Sequence, residues 1–165
     1  MVRIYIYALL FFLIFQTAIG AENYFAANQN RIADSIEKFA TQDIKLILFS
    51  LDPNVLHRSL QDSTNCFHFY PILGKVEIVP ADEKKILISA FAKGIREGGA
   101  ASDCLLEPRH GLRIVSDSAT NDFAICFKCG DVRAYGFNSA GSFTIGGQKA
   151  IFDKFLDEYK LKKAE

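Results

Sequence analysis

The 165-residue chain has no tryptophan, one methionine, four prolines and no excess of either charge, with 19 Lys and Arg against 19 Asp and Glu. That balance argues against a nucleic-acid or anionic-membrane surface, because such a surface needs a basic surplus. Internal repeats, low-complexity tracts and long charge runs are missing as well, which removes solenoids and disordered arrays from consideration. The chain has no Gly-x-Ser-x-Gly, no His-Glu-x-x-His and no phosphate-cradling glycine loop. It therefore lacks the short signatures of the common serine hydrolases, zinc peptidases and nucleotide enzymes. Four cysteines are few for this length, so the fold does not depend on staples.

What is present begins with a leader. Arg3 supplies a positive start, Ala8 to Phe15 an apolar core, and Ala18-Ile19-Gly20 a small-x-small cleavage site. The apolar core falls short of the roughly 20 residues that a membrane-spanning helix requires. Residues 1–20 are therefore expected to be a signal peptide removed after Gly20, with an uncleaved anchor through Ile4 to Tyr7 as the alternative. Without Arg3 the mature chain carries 18 basic against 19 acidic side chains, a net charge of minus one. Residues 21–29 read as a disordered lead-in and 30–165 as a single domain. The protein is expected to be exported to the periplasm or the extracellular space, with no membrane attachment after cleavage and no nucleic-acid partner. In that compartment an even number of cysteines favours disulfides, and four cysteines allow three pairings.

Periodicity then places the elements. Ile32, Ile36, Phe39 and Ala40 recur at helical spacing, predicting a helix over about 30–39. Ile44 to Leu51 is short, β-branched and closed by Asp52-Pro53, the pattern of a buried strand. Residues 54–70 read as an irregular connection that Pro71 resets. Ile72 to Val79 alternates, with Ile72, Gly74, Val76 and Ile78 on one face and Lys75 and Glu77 on the other. Asp82 is placed to cap a helix whose stripe is Ile86, Leu87, Ala90, Phe91, Gly94 and Ile95, and Gly98-Gly99 ends it. Three strands follow, near 111–116, 122–128 and 132–137, then a short Phe143-Thr144-Ile145 strand. Gln148 to Tyr159 forms a last amphipathic helix, with Gly146-Gly147 read as a plain turn before it. This order predicts an α+β fold: a mostly antiparallel sheet with helices packed on one face, a two-layer sandwich.

The chemistry-bearing residues concentrate in 104–137. Cys126-Phe127-Lys128-Cys129-Gly130 is the most specific local pattern. On an extended strand, residues three apart lie about 10 Å apart, too far for a disulfide unless the chain turns by Cys129. A thioredoxin-like redox site is disfavoured, because strands rather than a helix flank the pair. A zinc site would use Cys126 and Cys129 with Cys104 and His110 as the remaining ligands. The plainer reading is a disulfide, Cys104 with Cys126 or Cys129, or cysteines packed as small hydrophobes. Pro108-Arg109-His110 enters a strand from a loop, and a planar guanidinium beside an imidazole suits an anionic group. The plainer reading pairs Arg109 with an acid such as Asp122 and His110 with backbone. His68, between Phe67 and Phe69, reads as packed and as a further ligand-binding candidate, and His57 as a surface residue.

Three segments resemble a group of uncharacterised exported bacterial proteins. They are Phe67-His68-Phe69-Tyr70-Pro71-Ile72-Leu73-Gly74-Lys75, then Pro108-Arg109-His110-Gly111-Leu112-Arg113, and Asp122-Phe123-Ala124-Ile125-Cys126-Phe127-Lys128-Cys129. The likeness spans about Leu46 to Leu156. This chain departs from the group in having Phe69 where the group has Gly, and in a Cys104 one residue further from Pro108. The resemblance implies a domain boundary and a choice of site residues, but no reaction.

Together these readings describe an exported module without catalysis, structural or binding a small anionic ligand or a protein through Arg109, His110 and His68, and needing no cofactor. The alternatives are a zinc-binding domain and, lowest, a hydrolase-like enzyme with His110 as base and Arg109 as electrostatic stabiliser.

Overall fold

The strand Lys45–Leu51 (β1) is covered on both faces, and the remaining strands are laid out around it. In the computed structural model, residues 27–54, 65–99, 104–137 and 141–164 are described. The expected signal peptide and His57 lie outside them. Residues 27–37 form helix α1, followed by a 3-10 turn, Lys38–Thr41. After β1 come β2 (Cys66–Phe67), β3 (Tyr70–Ile78), helix α2 (Ala81–Glu97), β4 (His110–Val115), β5 (Thr120–Cys126), β6 (Asp131–Tyr135), β7 (Gly141–Thr144) and helix α3 (Lys149–Glu158). The seven strands make one sheet in the order β2-β3-β1-β4-β5-β6-β7, with every pairing antiparallel. The α+β class expected from the sequence is the one found.

Alternation decides which face each side chain takes. Leu46, Leu48, Leu112, Ile114, Phe123, Ile125 and Val132 turn toward the helices. There they join Ile36 of α1, Leu87, Phe91 and Ile95 of α2, and Phe152 and Phe155 of α3 in the main core. Each such side chain contributes roughly 1.5–3 kcal/mol on burial. The opposite face holds a smaller cluster, Phe49, Leu51, Phe67, Tyr70 and Ala124, with no helical residue in it. The β2–β3 hairpin supplies two of those aromatics.

Several local readings need correction. Ile72 does not share a face with Val76 and Ile78. Ser50 pairs with Gly74 but Leu51 pairs with Ile72, so Leu73 is an extra residue and the alternation of β3 inverts there. Ile72 consequently packs on the smaller cluster, while Ile78 stays in the main core. Pro71 does not reset the chain. It lies inside β3 opposite Cys66, and its carbonyl accepts the N–H of Asp52 at 2.9 Å. Helix α2 is not capped by Asp82: Pro80 holds the N-cap position with extended backbone, and Asp82 and Glu83 lie in the first turn. A fixed proline φ suits a helix entry, and the acids there favour the positive end of the helix dipole. The hairpin after β4 is tighter than expected, with Ser116 N–H donating to the Ala119 carbonyl at 2.9 Å. Residues 27–29 belong to the helix, and the buried Gln29 donates to the Thr144 carbonyl at 3.0 Å.

The Gly146-Gly147 turn is where α2 meets the chain entering α3. Gly146 N–H donates to the Gly94 carbonyl at 2.8 Å, and a Cβ on Gly94 would lie 2.9 Å from the Gly146 oxygen. A Cβ on Gly146 would collide with the Gly98 carbonyl. Backbone touches backbone here, so no side chain can yield. Gly146→Ala is expected to cost about 1–3 kcal/mol, in the range of core overpacking, read as a lowered urea midpoint at unchanged slope. An unchanged midpoint would show that the contact has slack.

Candidate functional site

His110 opens β4 and faces the helices, directly across from Ser50 of β1 and Ile125 of β5. The residue is 2 % exposed. Phe127 and Phe152 meet it edge-on, with ring centroids 5.4 and 5.7 Å away. One turn of α3 then supplies the polar partners: Nε2 lies 3.0 Å from Asp153 Oδ1, and Lys149 Nζ bonds to Oδ2 of the same carboxylate.

Burial dominates the ionisation of His110, outweighs the attraction of Asp153, and lowers its pKa from 6.5 to about 4. Burial also pushes Asp153 upward, but the Lys149 hydrogen bond and the contact with His110 prevail, so its carboxyl falls below the usual range. At neutral pH the pair is therefore a neutral imidazole donating Nε2–H to a carboxylate, which leaves Nδ1 as an acceptor. Arg109, Lys149 and Lys163 stand around a cavity of about 180 Å³ beside this pair. An adjoining cleft of about 370 Å³ adds Lys128 and Glu107. Acids touch several of these cations: Arg109 is 4.0 Å and Lys128 3.2 Å from Glu107, and Lys163 is 2.6 Å from Asp157. Ser50 Oγ, also on this cavity, donates to the Lys162 carbonyl at 2.6 Å.

The other imidazole among the described residues sits on the opposite face. His68, at the tip of the β2–β3 hairpin, stacks on Tyr135 at 3.6 Å with planes 10° apart, and its Nε2 is 2.8 Å from Asp122 Oδ2. Asp122 is also gripped by Arg113, whose Nε and Nη2 donate to its two oxygens at 2.7 Å each. Burial would raise the pKa of Asp122, but the hydrogen bonds from Arg113 and His68 lower it overall. Above the two rings Phe49 and Phe67 lies the Arg113 guanidinium, 5.7 and 5.6 Å from their centroids. Burial raises the pKa of the Tyr135 hydroxyl and outweighs the opposing pull of Arg133.

The sulfurs occupy a third place. Residues 127–130 turn, with Gly130 at φ 65°, so the pair Cys126 and Cys129 is brought back on itself. Cys129 N–H donates to Cys126 Sγ at 3.2 Å, but the sulfur at bonding distance from Cys129 is that of Cys104, with Cα atoms 5.8 Å apart. This is one of the two pairings favoured from sequence. Cys126 remains a buried thiol. Among the described residues no three His, Cys, Asp or Glu side chains gather as a metal site. The zinc alternative would thus need Cys104 and Cys129 parted from each other.

Comparison with protein-family models, curated proteins and solved structures gave no match. The site must be read from its own geometry. Of the expected residues, Arg109 and His110 share one cleft, and His68 lies across the sheet from them. Asp122 meets Arg113 rather than Arg109. Asp153 and Lys149 carry no signal in the sequence, because an i, i+4 acid–base pair on an amphipathic helix reads as a solvated face. The Arg113–Asp122 pair carried a usable signal. Counting back equally from the hairpin loop sets the two opposite each other.

Two outcomes follow. The unfolded chain protonates His110 near pH 6.5 and the folded chain only near 4, so stability falls as pH drops through that window and levels off below it. The full effect is at most about 3 kcal/mol, at 1.36 kcal/mol per unit. His110→Gln should flatten the urea midpoint between pH 4.5 and 6.5, and an unaltered slope would contradict this. Opening the bridge across 25 residues with Cys104→Ser should cost roughly 3–4 kcal/mol by chain entropy. Equal midpoints with and without reductant would show that the bridge adds no stability.

Proposed function

We propose that the protein is an exported, non-catalytic module that binds a small anion in the cleft between the start of β4, helix α3 and the C-terminal segment. The reading rests on one observation: Arg109, Lys149 and Lys163, from three separate segments, line a single cavity next to an imidazole kept neutral. Planar and pointlike cations together suit a carboxylate or phosphate. The neutral His110–Asp153 pair adds directional hydrogen bonding without adding charge. A cavity of about 180 Å³ favours a small anion over a drug-sized ligand, whose sites run to roughly 300–1,000 Å³. Export is supported by the leader-like N-terminus and by the Cys104–Cys129 pairing, a bond that persists in oxidising compartments. The resemblance to exported bacterial proteins agrees with it and supplies no activity of its own.

The acids around the cleft set the competing outcome, in which every cation is already satisfied within the protein. Titration with inorganic phosphate, followed by backbone amide shifts, separates the two. Saturable shifts at Arg109 and Lys149, reduced at least tenfold in affinity by Arg109→Ala with Lys149→Ala and unchanged by Lys154→Ala, are expected. No saturable shift up to tens of millimolar, or equal affinity in the double variant, would end the proposal.

A further inference from the structure

On the face away from the helices, Ile47, Phe49, Phe67 and Ile72 wall a half-open cavity of about 370 Å³. That volume is in the range that small-molecule sites occupy, roughly 300–1,000 Å³. Its charged lining is Lys45, Lys75 and Arg113 against a single acid, Glu77. Lys45 neutralises Glu77 at 2.7 Å, which leaves Lys75 without an ion pair among the described residues.

Arg113 is held in a defined pose. Asp122 takes its Nε and Nη2, and the Phe49 and Phe67 rings lie beneath the guanidinium. Nη1 makes no hydrogen bond among the described residues. Arg113 stands opposite Ile47 on one side of β1, and Lys75 stands opposite Phe49 on the other. Both long side chains thus rise from the same face and flank the aromatic floor.

The aromatic wall is fixed by an unfavourable backbone. His68, next to Phe67, has φ 56°, a left-handed conformation that costs a non-glycine residue free energy. Its stack on Tyr135 and its contact with Asp122 hold it there. Asp122 is buried but the Arg113 and His68 side chains reach solvent, and ion pairs with a solvated partner contribute little net stability, so the Arg113–Asp122–His68 chain is poorly explained as a staple. What it does provide is a preorganised guanidinium beside an apolar recess.

We propose that this cavity binds a small apolar carboxylate. Its hydrocarbon lies against the half-buried Ile47 and Ile72, beside the buried Phe49 and Phe67 that carry the guanidinium, and its head group sits on Arg113 Nη1 and Lys75 Nζ. This site is separate from the His110 cleft, so either can fail without the other.

The test is an amide-shift titration of the purified protein with octanoate, using octanol as the uncharged counterpart. Octanoate is expected to shift Phe49, Phe67, Lys75 and Arg113 and to bind at least tenfold more tightly than octanol. Arg113 variants risk unfolding, because they strand Asp122 in a buried position. The exposed Lys75→Glu is the safer variant and is expected to weaken octanoate at least fivefold. Equal binding of octanol, indifference to Lys75→Glu, shifts confined to Arg109 and Lys149, or no shifts at all would each overturn the proposal.

Discussion

Ser50 faces His110 across β1 and β4, and three positions away Ile47 faces Arg113. Those two pairings sit on opposite faces of one sheet, and everything chemical in the domain follows from that register. A slip of one residue would carry His110 to the open face and Arg113 into the helix layer. Hydrophobic burial forbids it. Leu46, Leu48, Leu112, Ile114, Phe123 and Ile125 are completely buried against the helices, and a slip would expose them at roughly 1.5–3 kcal/mol each. The core thus sets the position of the polar groups without touching most of them.

The two faces then treat their imidazoles differently. Under α3, His110 is enclosed by phenylalanine rings and has one carboxylate, and burial wins over that attraction. Across the sheet, His68 rests on Tyr135 and shares Asp122 with a guanidinium, in a pocket the hairpin only partly covers. One environment yields a neutral donor beside a cluster of cations. The other yields a rigid cation beside aromatic rings. Neither arrangement needs the sulfurs, which close the turn after β5 and tie it to the loop before β4.

The sheet and both long helices could be read from alternation and helical spacing because their patterns run over many residues. The β3 bulge could not. A single extra residue, Leu73, leaves no mark in composition, and with it the face of Ile72 was lost. The β2–β3 hairpin was hidden for a related reason: two paired residues are too short for a periodic signal, and Pro71 imitates a break. At the site, Arg109 and His110 stood out by residue type. Their partners did not, since Asp153 acquires its role only when α3 docks, 43 positions along the chain from His110. The Cys104–Cys129 pairing was narrowed by the length of an extended strand and decided by the turn at Gly130.

The most direct measurement is a set of proton–proton contacts from the two imidazole rings, recorded by NMR on selectively labelled protein. The account predicts that His110 ring protons contact Phe127 and Phe152, that His68 ring protons contact Tyr135, and that neither imidazole shares a neighbour with the other. Contacts from His110 to Tyr135, or from both rings to one common set of residues, would contradict the register and with it the division of the domain into two chemically distinct faces.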